Sequence, residues 1–153
     1  MRVVVNTSPL IALERIGQLD LLRQLFGTVI RPQAVRDELE AGRKKHGLSA
    51  ALISSRWILT EPNPAEMVLR KELGAGETAA ITLALATRAD LVALDDLQAR
   101  LVAEGLGLKL TGTLGILAAA HKLGLLADLH QALRHLEKAH FYIPQEIKKA
   151  FLS

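Results

Sequence analysis

The 153-residue chain contains no cysteine. That excludes a disulfide framework and any thiolate-held zinc or iron–sulfur centre, and it suits a reducing cytoplasm. Aromatic residues are scarce at 3%. Phe26, Trp57, Phe141, Tyr142 and Phe151 follow no periodic pattern of the kind that lets single-strand binders stack bases, so they read as core or as a surface on which helices dock. Nowhere do about 18 apolar residues run on without a charge, and the valines behind Arg2 stop too soon for a signal peptide; neither a membrane span nor a leader is expected. Net charge is also small. At +3, with a pI near 9.4, it permits a nucleic-acid partner without requiring one. Prolines and glycines do not gather into a linker, since "PNPAE" at 62–66 reads as a turn, and repeats and low-complexity segments are missing. Half the residues are hydrophobic, so one domain spanning 1–153 with a buried core is expected.

Four short apolar runs read as strands: Val3 to Val5, Thr28 to Ile30, Leu91 to Leu94 and Leu108 to Leu110, with Trp57 to Leu59 as a weaker fifth. Helix-start signals follow them. Ser8 and Pro9 come after the first, the serine as a cap and the proline at a position that needs no N–H. Pro32 opens "PQAVRDELEAG", which Gly42 would close; Asp95 and Asp96 can cap "LQARLVAEG", closed by Gly105; Thr111 or Thr113 can cap "TGTLGILAAAHKLG". Strands alternating with helices predict a three-layer α/β fold, a central parallel β-sheet flanked by helices. Beyond Thr113 only helical periodicity remains, with a helical extension from about residue 126. Its stripe of Leu126, Leu129, Leu133 and Leu136 suits packing on the sheet or, if left open, a second protein.

Acidic or amide groups occur where these elements change. Asn6 ends the first strand, Glu38 lies in the helix after the second, Glu77 opens the apolar helix "ETAAITLALA", and Asp95 and Asp96 follow "LVAL". Each has a plain explanation. Glu38 could be a surface carboxylate beside Asp37 and Glu40, Glu77 a first-turn acid that the helix dipole favours by about 0.3–1 kcal/mol, and one aspartate a cap. Strand ends at one edge of a parallel sheet converge, however, and a carboxylate cluster is costly without a cation. Hard oxygen ligands without cysteine suit Mg²⁺ or Mn²⁺, ions that serve phosphodiester hydrolysis. The densest basic run, Arg43, Lys44, Lys45 and His46, reads as a loop between helices that is either solvated or touches phosphates. His121, His130 and His135 read as surface or packing residues.

The blocks "VVVNTSPLI", "VIRPQAVRDELEAG", "GAGETAAITLA" and "LVALDDLQARLVAEGLGLKLTGTLGIL", in that order, resemble PIN domains, in particular the branch related to VapC-type toxins, from roughly Arg2 to Leu126. The resemblance implies a Mg²⁺- or Mn²⁺-dependent ribonuclease whose four acids fall on Asn6, Glu38, Glu77 and Asp95 or Asp96. The sequence departs at Asn6, where the wider family has aspartate. The resemblance also implies RNA as partner, a small antitoxin protein and a homodimer. Ser8, Arg100, Thr111 and Thr113 join Arg43, Lys44 and Lys45 as candidate nucleic-acid contacts. Two other readings stand beside it. A PIN-like module that binds RNA or protein without cutting fits Asn6 and the modest charge. The run Gly74, Ala75, Gly76 to Ala79 matches a dinucleotide-binding fingerprint, but "AEMVLRKEL" before it has helical rather than strand spacing.

Overall fold

The computed structural model of the chain describes residues 1–65 and 73–151. Its five strands are β1 (Val3–Val5), β2 (Val29–Pro32), β3 (Ile58–Glu61), β4 (Leu91–Ala93) and β5 (Leu110–Thr111), in the spatial order β3-β2-β1-β4-β5. All neighbouring pairs are parallel: Val4 lies opposite Ile30, and Val3 to Val5 run beside Leu91 to Ala93. The three valines of β1 are wholly buried, which accounts for an unbroken β-branched run at the centre of the sheet. Their alternation sorts two cores. Val3 and Val5 share one with α1 (Thr7–Arg15), α2 (Asp20–Phe26), α3 (Gln33–His46), α7 (Thr113–Lys122) and α8 (Leu129–Lys138). Val4, Ile30 and Val92 face the other, filled by α5 (Ala75–Ala86) and α6 (Leu97–Gly105). This is the expected three-layer arrangement. The short α4 (Ala51–Ser54) precedes β3, and α9 (Gln145–Phe151) ends the described chain.

Several local expectations shift. Pro32 ends β2 with extended geometry, so α3 starts at Gln33. The helix then passes through Gly42 and stops only at the left-handed Gly47. Arg43, Lys44, Lys45 and His46 therefore occupy its last turn rather than a loop, where positive charge offsets the helix dipole. The leucine stripe at 126–136 is buried in the first core, so it is a packing face and leaves no surface there for a homodimer or an antitoxin. The helical spacing read in "AEMVLRKEL" falls mostly within 66–72, outside the described residues, as does the side chain of Phe151. Among the described residues no helix is long and apolar enough to cross a membrane.

One charged residue sits in the core. Arg31 of β2 is 1% exposed. It donates to the Leu52 carbonyl, to the Ile53 carbonyl at 3.0 Å and to Thr60 Oγ1 at 3.1 Å. It thus closes the end of α4, too short to satisfy its own carbonyls, onto β2 and β3. Burial pushes its pKa down to about 10, which leaves it charged at neutral pH. Arg31→Met should lower stability by about 2–4 kcal/mol, because it strands buried acceptors, and Arg31→Lys should recover part of the loss; urea unfolding of the three proteins measures both.

Candidate active site

The carboxyl ends of β1 and β4 meet where the Asn6 N–H donates to the Ala93 carbonyl at 3.1 Å. Asn6 has extended geometry, N-caps α1 without a side-chain capping bond, and is 5% exposed. Its Oδ1 is buried and has no hydrogen-bond partner. It opens on a cleft of about 330 Å³ whose walls include Thr7, Ser8, Arg15, Glu38 and Glu77. Four buried side-chain polar atoms lack a partner among the described residues, and three of them belong to this cleft: Asn6 Oδ1, Thr7 Oγ1 and Glu77 Oε2. Buried oxygens without donors are uncommon because each forfeits its hydration. Three around one cleft form a set that can accept a cation or a donor.

Glu38 reaches the cleft because α5 leaves room for it. A Cβ on Gly76 would lie 1.8 Å from Glu38 Oε1 and 3.3 Å from Asn6 Oδ1. Only glycine allows the carboxylate to lie against the first turn of α5. Burial of that end raises the pKa of Glu38, and the Gly76 N–H opposes the rise. Glu77 is also raised, first by burial, then by the negative charge of Asp96 and a hydrogen bond shared with it, with Glu38 adding further repulsion; a backbone bond from Gly74 works the other way. The place a pyrophosphate would take at the start of α5 is thus held by carboxylates, and Leu73 and Gly74 before it form no strand. Both facts weigh against the dinucleotide fingerprint.

The two aspartates separate. Asp95 Oδ2 accepts from Ser8 Oγ at 2.9 Å and Thr113 Oγ1 at 2.7 Å, and its Oδ1 accepts from the Thr113 N–H at 2.8 Å. It ties β4 to the starts of α1 and α7. Asp96 Oδ2 caps α6 through the Ala99 N–H at 3.0 Å, yet it faces Glu77 in an adjoining cleft of about 340 Å³. Ser8 is therefore a donor to Asp95 and not the cap of α1, and Thr113 likewise serves Asp95. Arg100 Nη1 donates to the Leu94 and Thr111 carbonyls at 2.7 and 2.9 Å, pinning the ends of β4 and β5. Lys45 lies seven residues beyond Glu38, about 10 Å along α3 and on the same face.

Four lining residues are not marked as site residues by the sequence, where Phe141 and Tyr142 read as core or a docking surface. Arg15 follows Ser8 and Ile11 at helical spacing on α1, a pattern that could have revealed it. His140 and Phe141 come from the far end of the chain to border both clefts, with Tyr142 beside them at the second, and nothing local in the sequence signals that return.

The family model for DUF3368, a PIN domain, matches residues 2–153. The chain belongs to the PIN-domain family. A PilT N-terminus domain protein from the hyperthermophilic archaeon Sulfolobus solfataricus P2 shares its fold, with a TM-score of 0.56 at 16% identity, over 78% of this chain and 93% of that one. Among curated proteins none matches the sequence.

PIN domains generally use divalent metals, and the donors of this one fit such an ion: oxygens only, two of them orphaned, around a cradle that a Cβ would fill. Among the described residues no group of three His, Cys, Asp or Glu side chains is gathered closely enough to hold an ion, so an ion here must draw on the Asn6 amide as well.

The raised pKa of Glu77 fixes the sign of a stability effect. Above its unfolded-state value, near 4.5, the folded protein binds more protons than the unfolded one, so stability falls as pH rises through the window up to the raised value. Glu77→Gln should therefore raise the melting temperature of the EDTA-treated protein at pH 7, and the gain should vanish at pH 4. Thermal melts of parent and variant across that range provide the check.

Proposed function

We propose that this PIN domain is a Mg²⁺- or Mn²⁺-dependent ribonuclease that hydrolyses phosphodiesters of single-stranded RNA. The observation that carries the reading is the convergence of unpartnered Asn6 and Glu77 oxygens with the Glu38 carboxylate in one cleft at the carboxyl ends of β1 and β4, where open α/β sheets bind their ligands. Glu38 and Glu77, with Asn6 Oδ1, would hold the ion, and Asp96 stands beside Glu77. Once bound, it supplies charge neutralisation on the phosphate and acidifies a water. Glu77, its pKa raised by burial and by the charge of Asp96, is suited to take a proton at Oε2. Asp95 holds Ser8 and Thr113 in place at the rim.

Cations on and beyond the cleft wall fit a polyanion. Arg15 lies on its wall, and the last turn of α3 carries Arg43, Lys44 and Lys45. On α8, whose final turn gives Leu136 to the cleft, His130, Arg134 and Lys138 recur every four residues and are exposed. As the toxin of a toxin–antitoxin pair, the protein would offer a small antitoxin the exposed Leu97 and Leu101 of α6 beside Asp96. The cytoplasm is the setting this implies. A second reading, an RNA-binding module that does not cut, is favoured by the neutral Asn6 and by the three donors that occupy Asp95.

Incubation with several RNAs decides between them. Cleavage should appear with Mn²⁺ or Mg²⁺, stop with EDTA, and be lost in Glu38→Gln and Glu77→Gln; binding without metal-dependent cleavage would select the non-cutting module. Ligand charge is a main control on the affinity for hard ions. Asn6→Asp should therefore tighten Mn²⁺ binding in calorimetry and raise activity at limiting metal, and equal affinities would remove Asn6 from the metal site.

A further inference from the structure

Past Asp95 and Asp96 the acidic cleft continues into a larger one of about 740 Å³. Its chemistry differs: Leu97, Leu110, Leu114, Pro144 and Ile147 supply apolar walls. Phe141 and Tyr142 line this compartment and the acidic one alike, so an occupant can reach from one to the other. Tyr142 is 80% exposed, and among the described residues no Phe or Trp side chain is exposed. The chain holds it there from both sides. Phe141 packs on the main core and Ile143 is 2% exposed within it. His140 turns the backbone with φ of 65°, a left-handed conformation that a non-glycine residue adopts rarely. A large aromatic ring held in solvent between a half-buried and a buried neighbour is placed for a partner with a flat face.

We propose that this compartment takes an unpaired nucleobase of the RNA, stacked on Tyr142, while the neighbouring phosphate meets the cation that Glu38 and Glu77 would hold. The inference rests on the ribonuclease reading and adds the feature of the substrate that is recognised. Apolar walls receive the faces of a base, and aromatic stacking is tolerant of sequence because every base has a π face. A base within a duplex is already stacked on its neighbours, so the site selects single strands.

The test uses the full chain and a single-stranded RNA oligonucleotide carrying 2-aminopurine, whose fluorescence falls on stacking. It is titrated in EDTA with parent, Tyr142→Ala and Tyr142→Phe, and again as a duplex; Mn²⁺-dependent cleavage of the same RNA is then followed. Tyr142→Ala should weaken single-strand binding about tenfold, lose the quenching, and raise KM more than it lowers kcat. Tyr142→Phe should behave as the parent does, and the duplex should bind poorly. If the parent binds and cleaves RNA while Tyr142→Ala keeps its affinity and quenching, the base site is overturned and the ribonuclease stands. Equal losses in the Ala and Phe variants, or a duplex bound as tightly as the single strand, also overturn the base site. A parent that neither binds nor cleaves any RNA overturns both readings.

Discussion

A parallel strand must be followed by a crossover before the next one can begin, and that constraint arranges everything else in this chain. Each crossover places a helix on one face of the sheet, and β1, buried on both faces, can be built only of small apolar β-branched residues. All five strands deliver their carboxyl ends to one edge. Asn6, Asp95 and Asp96 leave those ends directly, and Glu38 and Glu77 arrive on the helices that follow or flank them. Residues far apart in sequence therefore share one small volume without any special loop.

Such convergence carries an electrostatic load, which the fold shares out. Asp95 is occupied by three hydrogen-bond donors and becomes a fastening between β4, α1 and α7. Asp96 is partly engaged at the start of α6. Glu38 and Glu77 carry what remains: burial raises both, and at Glu77 repulsion from Asp96 and then Glu38 adds to the rise, with only single backbone N–H groups at the start of α5 opposing. Asn6 lowers the load further by presenting an amide where a carboxylate would add another charge. The same neutrality weakens the pull on a cation, so relief of repulsion and strength of ion binding are opposed at this one residue.

Glycine and arginine at two other positions keep the edge open and in place. Gly76 removes the Cβ that would collide with Glu38, so helix geometry and a carboxylate can occupy adjoining space. Arg100 holds the ends of β4 and β5 through the carbonyls of Leu94 and Thr111. In the sequence it reads as a cation available to phosphate; in the fold one of its nitrogens serves two carbonyls. The basic run at 43–46 moved in the opposite direction, from loop to helix. Its charges lie in the last turn of α3, which passes through Gly42 and ends at the left-handed Gly47.

Local residue patterns are enough to set the layers, the parallel sheet and the position of each acidic group on its element. Those depend on hydrophobic period, β-branching and helix-end chemistry, all properties of neighbouring residues. Strand limits slipped by a residue or two because pairing partners, absent from any local window, decide where a strand ends: Pro32 stays in β2 because it lies opposite Glu61. Tertiary structure alone separated Asp95 from Asp96, since the donors that occupy Asp95 come from Ser8 and Thr113, 87 and 18 residues away. It alone buried the leucine stripe of α8, which a helical period can describe but not cover. It also brought His140 and Tyr142 back beside Asn6, because α8 packs its apolar face on the core and the chain beyond its end has nowhere to go but across the edge where the strands stop.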